Sequence, residues 1–319
     1  MFKMAMMATG LTTMVLAGST MAADAQEAPE LPAQGATQTV ETQRGKFHFS
    51  VGGGIAYQGS AGVDGGGRFS ATRYSVGGGG TYNLNEKLDV NFGLGYERHD
   101  MRFSSVDAMG GDPWENVNII AGQLGLAYHI NDKWTIHGGG LVSVGAEDAA
   151  WWSRSVSLGA AGGVEYRVND RLRVGVGLGF IERLEDTAAL FPIFQFNWDI
   201  NDQWTLRSGS FDLGVQGGVG IEAAWKPTDK LELAAGVQYQ NRQFRLDRNG
   251  IAPDGVGEES VAPIYVKATW KPTARVNVTG FAGVLVGGRL ELRDEDGHNI
   301  TRKNFDPAPV FGGRVSYLF

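Results

Sequence analysis

The chain has 319 residues, a formal net charge of −7 and no cysteine. Without cysteine it has neither a disulfide-stapled fold nor a lipidated cysteine, and without a basic stripe to neutralise phosphates we expect no nucleic-acid partner. After the N-terminal segment there is no apolar run of roughly 18 residues, so no transmembrane helix is predicted. The 48 glycines, set among alternating valines, leucines and aromatics, are typical of a coiled β-sheet.

The N-terminal segment, residues 1–25, has the features of a secretory signal peptide. Lys3 supplies a positive charge, residues 5–18 are apolar, and Ala23-Asp24-Ala25 places small residues at the −3 and −1 positions of a cleavage site. We predict export through the inner membrane and a mature chain that begins at Gln26. Residues 26–45 are acidic and contain few large apolar side chains, which predicts a flexible periplasmic segment.

From residue 46 onward, apolar and polar residues alternate, and six short polar turns interrupt the alternation. A turn between two period-2 segments predicts a β-hairpin, and the connections between these hairpins are longer. The sequence therefore predicts an all-β, up-and-down antiparallel transmembrane barrel over residues 46–319, with about 14 strands and with both chain ends at the periplasmic, short-turn end. Because residues 204–225 leave little room for a loop, about 12 strands is the alternative. The turns begin at Asn85, Asn131, Asn169, Asn201, Thr228 and Thr273.

Aromatic residues mark the predicted membrane boundary. Five tryptophans lie on the apolar face within a few residues of a short turn, where rings with an apolar body and a polar edge fit the headgroup level. In a soluble sandwich the same residues would be scattered through the core. We predict that these five form a periplasmic girdle: Trp134, Trp198, Trp204, Trp225 and Trp270.

The predicted lumen face carries charges of both signs. Two interpretations remain open: a wet passage for small polar solutes, or an internal ion-pair network in a sealed barrel. Arg167 and Arg173 face each other across a turn, and this like-charge pair favours water inside. The candidate lumen-lining residues are Glu97, Glu165, Arg167, Arg173, Asp199, Arg207, Glu222, Glu232, Arg242, Lys267, Arg275 and Arg314.

No pattern predicts an enzyme, a cofactor or a metal site. The glycine cluster at 175–179 is not followed by a helix, as a dinucleotide site would require, and His129 and His137 have no third ligand at a supporting spacing. The outer loops, predicted at 99–115, 243–260 and 291–308, are acidic. The simplest interpretation is that their carboxylates are solvated. Divalent cations could also bridge these carboxylates to lipopolysaccharide. The carboxylates are Asp112, Asp247, Asp254, Glu258, Glu259, Asp294, Glu295 and Asp296.

The last strand alternates and ends at Tyr317-Leu-Phe319, which resembles the signal that the outer-membrane barrel-assembly machinery reads, with Arg314 where a glycine is usual. Together with the hairpin repeats and Pro192 before a tryptophan-bearing turn, this ending resembles a family of uncharacterised, porin-like or transporter-like bacterial outer-membrane barrels. The resemblance implies a location in the outer membrane among lipid and lipopolysaccharide.

Three functions remain open for such a barrel. The first is a passive channel for small polar solutes. The alternatives are a non-conducting structural or surface-recognition barrel and a transporter of hydrophobic substrates. A transporter of that kind would need a lateral break between strands, for which the segment 204–214 is the candidate.

Overall fold

The computed structural model describes residues 47–209 and 219–319, so the predicted signal peptide and acidic segment lie outside the described residues. Within those two ranges, no helix is long and apolar enough to cross a membrane. The strands are β1 (Phe47–Gly62), β2 (Arg68–Asn85), β3 (Leu88–Ser104), β4 (Asn116–His129), β5 (Trp134–Glu147), β6 (Val156–Asn169), β7 (Leu172–Arg183), β8 (Asp186–Asp199), β9 (Trp204–Gly209), β10 (Val219–Thr228), β11 (Leu231–Arg245), β12 (Val256–Thr273), β13 (Val276–Arg293), β14 (Asn299–Phe305) and β15 (Ala308–Leu318).

Fourteen of these described strands, β1–β13 and β15, form a closed antiparallel barrel. Each pairs with its neighbour in the chain, and β15 closes the ring between β13 and β1, where Tyr317 lies opposite both Val51 and Val276. The predicted fourteen-stranded up-and-down barrel is confirmed. The strand β14 was not predicted; it pairs with the far end of β13 and lies outside the ring.

The six predicted turns are all present at one end of the barrel, which is the periplasmic end in barrels of this type. In four of them an asparagine side chain fixes the turn, because its Oδ1 accepts backbone N–H groups two or three residues further on. Such a side chain replaces a backbone acceptor in a tight turn, which explains why asparagine recurs there. The bonds are Asn85 to Lys87, Asn131 to Lys133 and Trp134, Asn169 to Arg171, and Asn201 to Gln203 and Trp204.

The outer face of the barrel is apolar and exposed. Leu94 and Phe194, for example, expose 65% and 70% of their surfaces, an arrangement that only a lipid environment makes favourable. The five predicted girdle tryptophans are exposed on this face beside the short turns. Two of them, Trp204 and Trp225, face each other across β9 and β10 with ring centroids 6.0 Å apart.

At the opposite, long-loop end, β11–β13 continue further than the sequence predicted. The predicted loops at 243–260 and 291–308 are wrong in part, because β12 already begins at Val256 and β13 runs to Arg293. Glu258 and Glu259, expected in a solvated loop, lie on β12 with buried side chains. Both faces of these strand ends are packed against protein, so the period-2 contrast that marks a half-exposed strand is lost there.

These strand ends cross the barrel mouth. Arg245 of β11 forms a parallel bridge with Ala146 of β5, although the five strands β6–β10 separate β5 from β11 along the wall. The contact therefore requires β11 to leave the cylinder and bend over the opening. We call the structure that bends inward the cap; it comprises residues 240–245, 256–261 and 288–293 together with β14.

An apolar core joins the cap to the inside of the wall. Phe244 of the cap packs edge-to-face on Trp114 with ring centroids 5.3 Å apart, and the wall contributes inward-facing residues of β2, β3 and β4. This core fills the long-loop end of the lumen. Its buried members are Ala61, Val63, Phe69, Ala71, Met101, Val106, Met109, Trp114, Val117, Ile119, Phe244, Leu246, Ala252, Val261, Leu285, Leu290, Leu292, Phe305, Ala308 and Val310.

A disulfide between cap and wall tests this arrangement. An ideal Cβ at Gly145 lies 3.5 Å from the Cβ of Phe244, within the roughly 3.5–4.5 Å that disulfides span, and the chain contains no other cysteine. We expect Gly145→Cys/Phe244→Cys to cross-link on oxidation and to migrate faster on a non-reducing gel, after a small shift of the nearby Gln243 carbonyl. The single variants are the controls. A folded double variant that keeps two reactive thiols under oxidant would contradict the inward position of the cap.

Candidate functional site

The cap is tied to the wall by a polar cluster that lies directly beneath the apolar core. Arg73 of β2 donates from Nη2 to Gln58 Oε1 at 3.0 Å and to Glu259 Oε1, on the cap, at 2.6 Å. His99 of β3 lies opposite Arg73 in the register, and Arg242 lies opposite Glu259. Two wall residues and two cap residues thus meet inside the barrel. Their exposed fractions are 3% for Arg73, 0% for His99, 2% for Arg242 and 0% for Glu259.

A second set of ion pairs, which we call the latch, joins the cap to the β7–β8 turn. Glu258 of the cap accepts from Arg183 of β7 and from Arg293 of β13, each at 3.0 Å. Asp186, at the start of β8, accepts from the same two arginines at 2.8 Å each. All four side chains are buried or half-buried. Because removal of one partner leaves a buried charge unpaired, the latch resists displacement of the cap.

The middle of the lumen carries a third ionic group. Glu222 of β10 accepts from Arg207 of β9 through Oε1 at 2.6 Å. Its Oε2 accepts from Lys267 of β12 and from the Tyr265 hydroxyl, each at 2.9 Å. Arg207 also donates to Glu232 of β11 at 2.8 Å. This network ties four neighbouring strands together, so in this part of the lumen the salt-bridge interpretation applies.

The luminal surface beside β8 is apolar instead. Ile181, Phe191, Ile193 and Ala161 form a buried cluster with Leu141 packed against it. The Phe191 ring lies over Gly179, where any Cβ would collide with it. Phe191 and Ile193 face inward on β8, so the middle of its inner face is apolar, as is its lipid-facing side at Leu190 and Phe194.

The described pairing between β8 and β9 lies next to the turn that joins them. The described register extends over only three pairs, from Asp199↔Thr205 to Asn197↔Arg207. At the next bonded position, the Ser208 hydroxyl takes the place of its backbone, accepting from Phe196 N at 3.0 Å and donating to Phe196 O at 3.2 Å. The Ser208 side chain therefore makes the two hydrogen bonds to Phe196 that a backbone partner makes in a regular antiparallel pair. Residues 210–218, which follow β9 and include part of the predicted break at 204–214, lie outside the described residues.

The predicted lumen residues divide into three groups. Glu97, Glu222, Glu232 and Arg242 are buried inside the barrel, where each has an ionic or hydrogen-bonding partner. Arg275 departs from the prediction: it lies in the turn between β12 and β13, and its Nη1 is 3.5 Å from the outer-face Tyr317 hydroxyl. The remaining residues take inward positions in their strands but are only half-buried or exposed: Glu165, Arg167, Arg173, Asp199, Arg207, Lys267 and Arg314.

Several central residues of the site were not predicted. Arg73 and His99 lie on inward positions of strands that the sequence did identify, but single charges among serines, threonines and glycines gave no signal of a cluster. Glu258, Glu259 and Arg293 were assigned to solvated loops or left out. Only the fold of the cap brings these residues to β2, β3 and β7.

The loop after β13 holds the one group of possible metal ligands found among residues 47–209 and 219–319. The ligand atoms of Asp294, Asp296 and His298 lie within 4.8 Å of one another on the surface. Asp294 accepts the backbone N–H of His298 and of Asp296, and these hydrogen bonds lower the pKa of its carboxyl. The same bonds describe an ordinary acidic turn.

No protein-family model and no curated protein matches the chain. Among solved structures, the chain is similar to an outer-membrane channel from Pseudomonas putida F1, with 12% identity, 90% of this chain and 100% of the other covered, and a TM-score of 0.47. It is also similar to a Pseudomonas aeruginosa FadL homologue, with 12% identity, coverages of 85% and 89%, and a TM-score of 0.46. A third is the TodX monoaromatic hydrocarbon channel deltaS2 mutant, with 11% identity, coverages of 87% and 90%, and a TM-score of 0.40.

These likenesses concern barrel architecture only. The closed ring of the described strands, its exposed apolar outer face and its short-turn end with exposed tryptophans are those of an outer-membrane β-barrel.

Substitution of Glu258 by glutamine tests the latch. Glu258→Gln keeps the shape of the side chain but removes one of the two carboxylates that Arg183 and Arg293 share, so that Asp186 alone serves both. Loss of one partner of a buried pair costs at most about 3–5 kcal/mol. We expect the cap to loosen while the barrel stays folded, so that conductance events in planar bilayers become longer or more frequent. The matched control is Asp202→Asn, which breaks the exposed turn pair with Arg171. Unchanged traces in Glu258→Gln would show that the latch does not hold the cap.

Proposed function

We propose that this chain is an outer-membrane channel for small apolar or amphipathic molecules, which enter or leave the lumen through the wall beside β8. The observation that carries the proposal is the contrast between two surfaces. A large, close-packed apolar core fills the extracellular mouth, whereas a much smaller buried cluster lines the inner face of β8, where a passing apolar molecule has to displace only a few side chains.

The filled mouth argues against axial diffusion of polar solutes in this state. A polar solute needs a continuous wet path, since loss of its hydrogen bonds to water is costly unless the protein replaces them. The core at the mouth contains aromatic and aliphatic side chains that offer few such replacements. Beneath it, the cluster around Arg73 and Glu259 is buried as well.

The wall beside β8 is suited to lateral passage. Asp199 N donates towards β7, to Arg171 O, and Phe196 N points towards β9, so even-numbered residues of β8 present their backbone to β9. Pro192 is one of these residues and has no N–H to donate, which limits pairing along this edge. The bond from Ser208 to Phe196 is then the last described tie between the two strands.

A passive channel for small polar solutes is the second candidate. It is favoured by the periplasmic half of the lumen, where Glu165, Arg167 and Arg173 are half-buried or exposed. Like-charged Arg167 and Arg173 lie opposite each other in the register, an arrangement that water screens at little cost. If the protein is a polar channel, the cap is the gate whose movement opens a path along the barrel axis. A permanently closed structural barrel is the third candidate.

The expectations about export, assembly and surrounding lipid apply equally to an apolar and to a polar channel. We propose that residues 1–25 direct export and that the barrel-assembly machinery reads the last strand, ending at Tyr317 and Phe319. Lipopolysaccharide would surround the extracellular rim. The predicted girdle tryptophans and Tyr317 are exposed on the outer face at the short-turn end, where outer-membrane lipid and the assembly machinery would meet them.

Two transport assays separate the three candidates. Entry of the apolar dye N-phenyl-1-naphthylamine is measured in Gram-negative cells that express the barrel, and swelling in a disaccharide is measured with proteoliposomes. A lateral apolar channel predicts dye entry without swelling. Swelling and conductance steps without dye entry would instead identify a polar channel, and failure of both assays would identify a closed barrel.

A substitution in the luminal apolar cluster localises the route. Ile193→Asn places a polar amide among Ile181, Phe191 and Leu141, and we expect dye entry to fall severalfold because an apolar molecule must then pass an unpaired amide. Ile193→Leu keeps both polarity and volume and is the control. Equal dye entry in the two variants, with equal amounts of folded barrel in the membrane, would place the route elsewhere.

A further inference from the structure

The turn between β7 and β8 is contacted by three strands of the cap, β11, β12 and β13. Each contact joins a polar side chain of the cap to one of four consecutive residues of the turn. The contacts are Gln243 Oε1 with Leu184 N at 3.3 Å, Arg245 with Glu185 at 2.7 Å, Glu258 with Arg183 at 3.0 Å, and Arg293 with Asp186 at 2.8 Å.

These contacts are also connected to one another within the cap. Gln243 Nε2 donates to Glu258 Oε2 at 2.7 Å. The same oxygen accepts from Arg183 and from Arg293, and Leu184 in the centre of the turn is buried. Because separation of turn and cap would leave buried charges and amides unpaired, the turn follows the cap when the cap moves.

The barrel wall holds the extracellular end of this hairpin less closely. The described pairing between β6 and β7 ends at Gly159 and Ile181. β6 continues for three further residues, and in the described register these pair with β5. The loop between β5 and β6 adds an exposed ion pair at 4.0 Å, between Arg154 and Glu185. The cap therefore provides the closer polar contacts of the turn.

β8 connects the turn to the luminal apolar cluster. It begins at Asp186, and Phe191 and Ile193 follow on its inner face as members of that cluster. A strand advances about 3.3 Å per residue, so roughly 16–23 Å of strand separate the turn from these two residues. Because a regular strand transmits displacement as a rigid element, movement of the turn changes the positions of Phe191 and Ile193.

We propose that the cap controls the opening of the wall beside β8. While the cap is in place, it holds the β7–β8 turn, and Phe191 and Ile193 stay packed in the cluster. When the cap shifts, the turn moves with it, and β8 withdraws these two side chains from Ile181 and Leu141. No covalent step is involved. The use of this opening as a route rests on the proposed function, whereas the coupling between cap and β8 does not.

The disulfide between cap and wall tests the coupling on the full barrel. Phe244 lies between Gln243 and Arg245, so the cross-link in Gly145→Cys/Phe244→Cys fixes the part of the cap that contacts the turn. We expect oxidation to slow amide hydrogen exchange of residues 182–190 severalfold and to lower entry of N-phenyl-1-naphthylamine into cells severalfold. Reduction with dithiothreitol should reverse both effects, and the single-cysteine variants should show neither.

Glu258→Gln tests the coupling in the opposite direction. It weakens the contact between cap and turn, so we expect faster exchange of residues 182–190 and higher dye entry. Asp202→Asn, which breaks an exposed pair in a periplasmic turn, is the matched control and should behave as the wild type. All variants are compared at equal amounts of folded barrel.

The possible outcomes separate the coupling from the proposed transport. If a complete cross-link leaves the exchange of residues 182–190 unchanged, the coupling is wrong. Slower exchange with undiminished dye entry would show that the cap restrains the turn without controlling the opening, and it would also overturn the proposal. If oxidation slows exchange but no form of the barrel admits the dye, the coupling stands and the proposed transport does not.

Discussion

The whole structure depends on the need to pair every backbone N–H and C=O group inside a membrane. A sheet with open edges cannot meet this requirement in lipid, and closure of the sheet on itself removes the edges. Here β15 closes the ring between β13 and β1, and the six short turns set the order of the strands. Closure fixes one face towards lipid and the other towards the lumen, and all further features follow from that division.

Closure with fourteen strands also creates a problem. About eight strands enclose a space that side chains can fill, while 16 or more leave a water channel, so a barrel of intermediate size needs something else to occupy its interior. The cap fills this space at one end. It is built from the wall strands themselves, which continue beyond the membrane and bend inward, so no separate plug domain is required.

The interior then contains two kinds of contact between cap and wall, and they have different consequences. The apolar core around Phe244 and Trp114 excludes water and is hard to open. The polar contacts, Arg73 with Glu259 and the latch at Glu258, depend on charges that have been removed from water. Such pairs add little net stability but specify one arrangement, because each is costly to break on one side only. A cap held in this way keeps one defined position unless its polar contacts are broken together.

The sequence by itself determined the barrel and its outer surface. The strand period, the asparagine turns and the tryptophans beside them are local signals. Each predicts the same local structure regardless of contacts with distant parts of the chain. The interior was decided only by the tertiary structure. Glu258 and Glu259 read as solvated loop residues, and Arg73 and His99 as isolated charges, because the contacts that bury them join β2, β3 and β7 to a distant part of the chain. Whether such charges are buried depends on which strand ends bend inward. A strand that is buried on both faces lacks the alternation of apolar and polar residues, so the sequence does not indicate the bend.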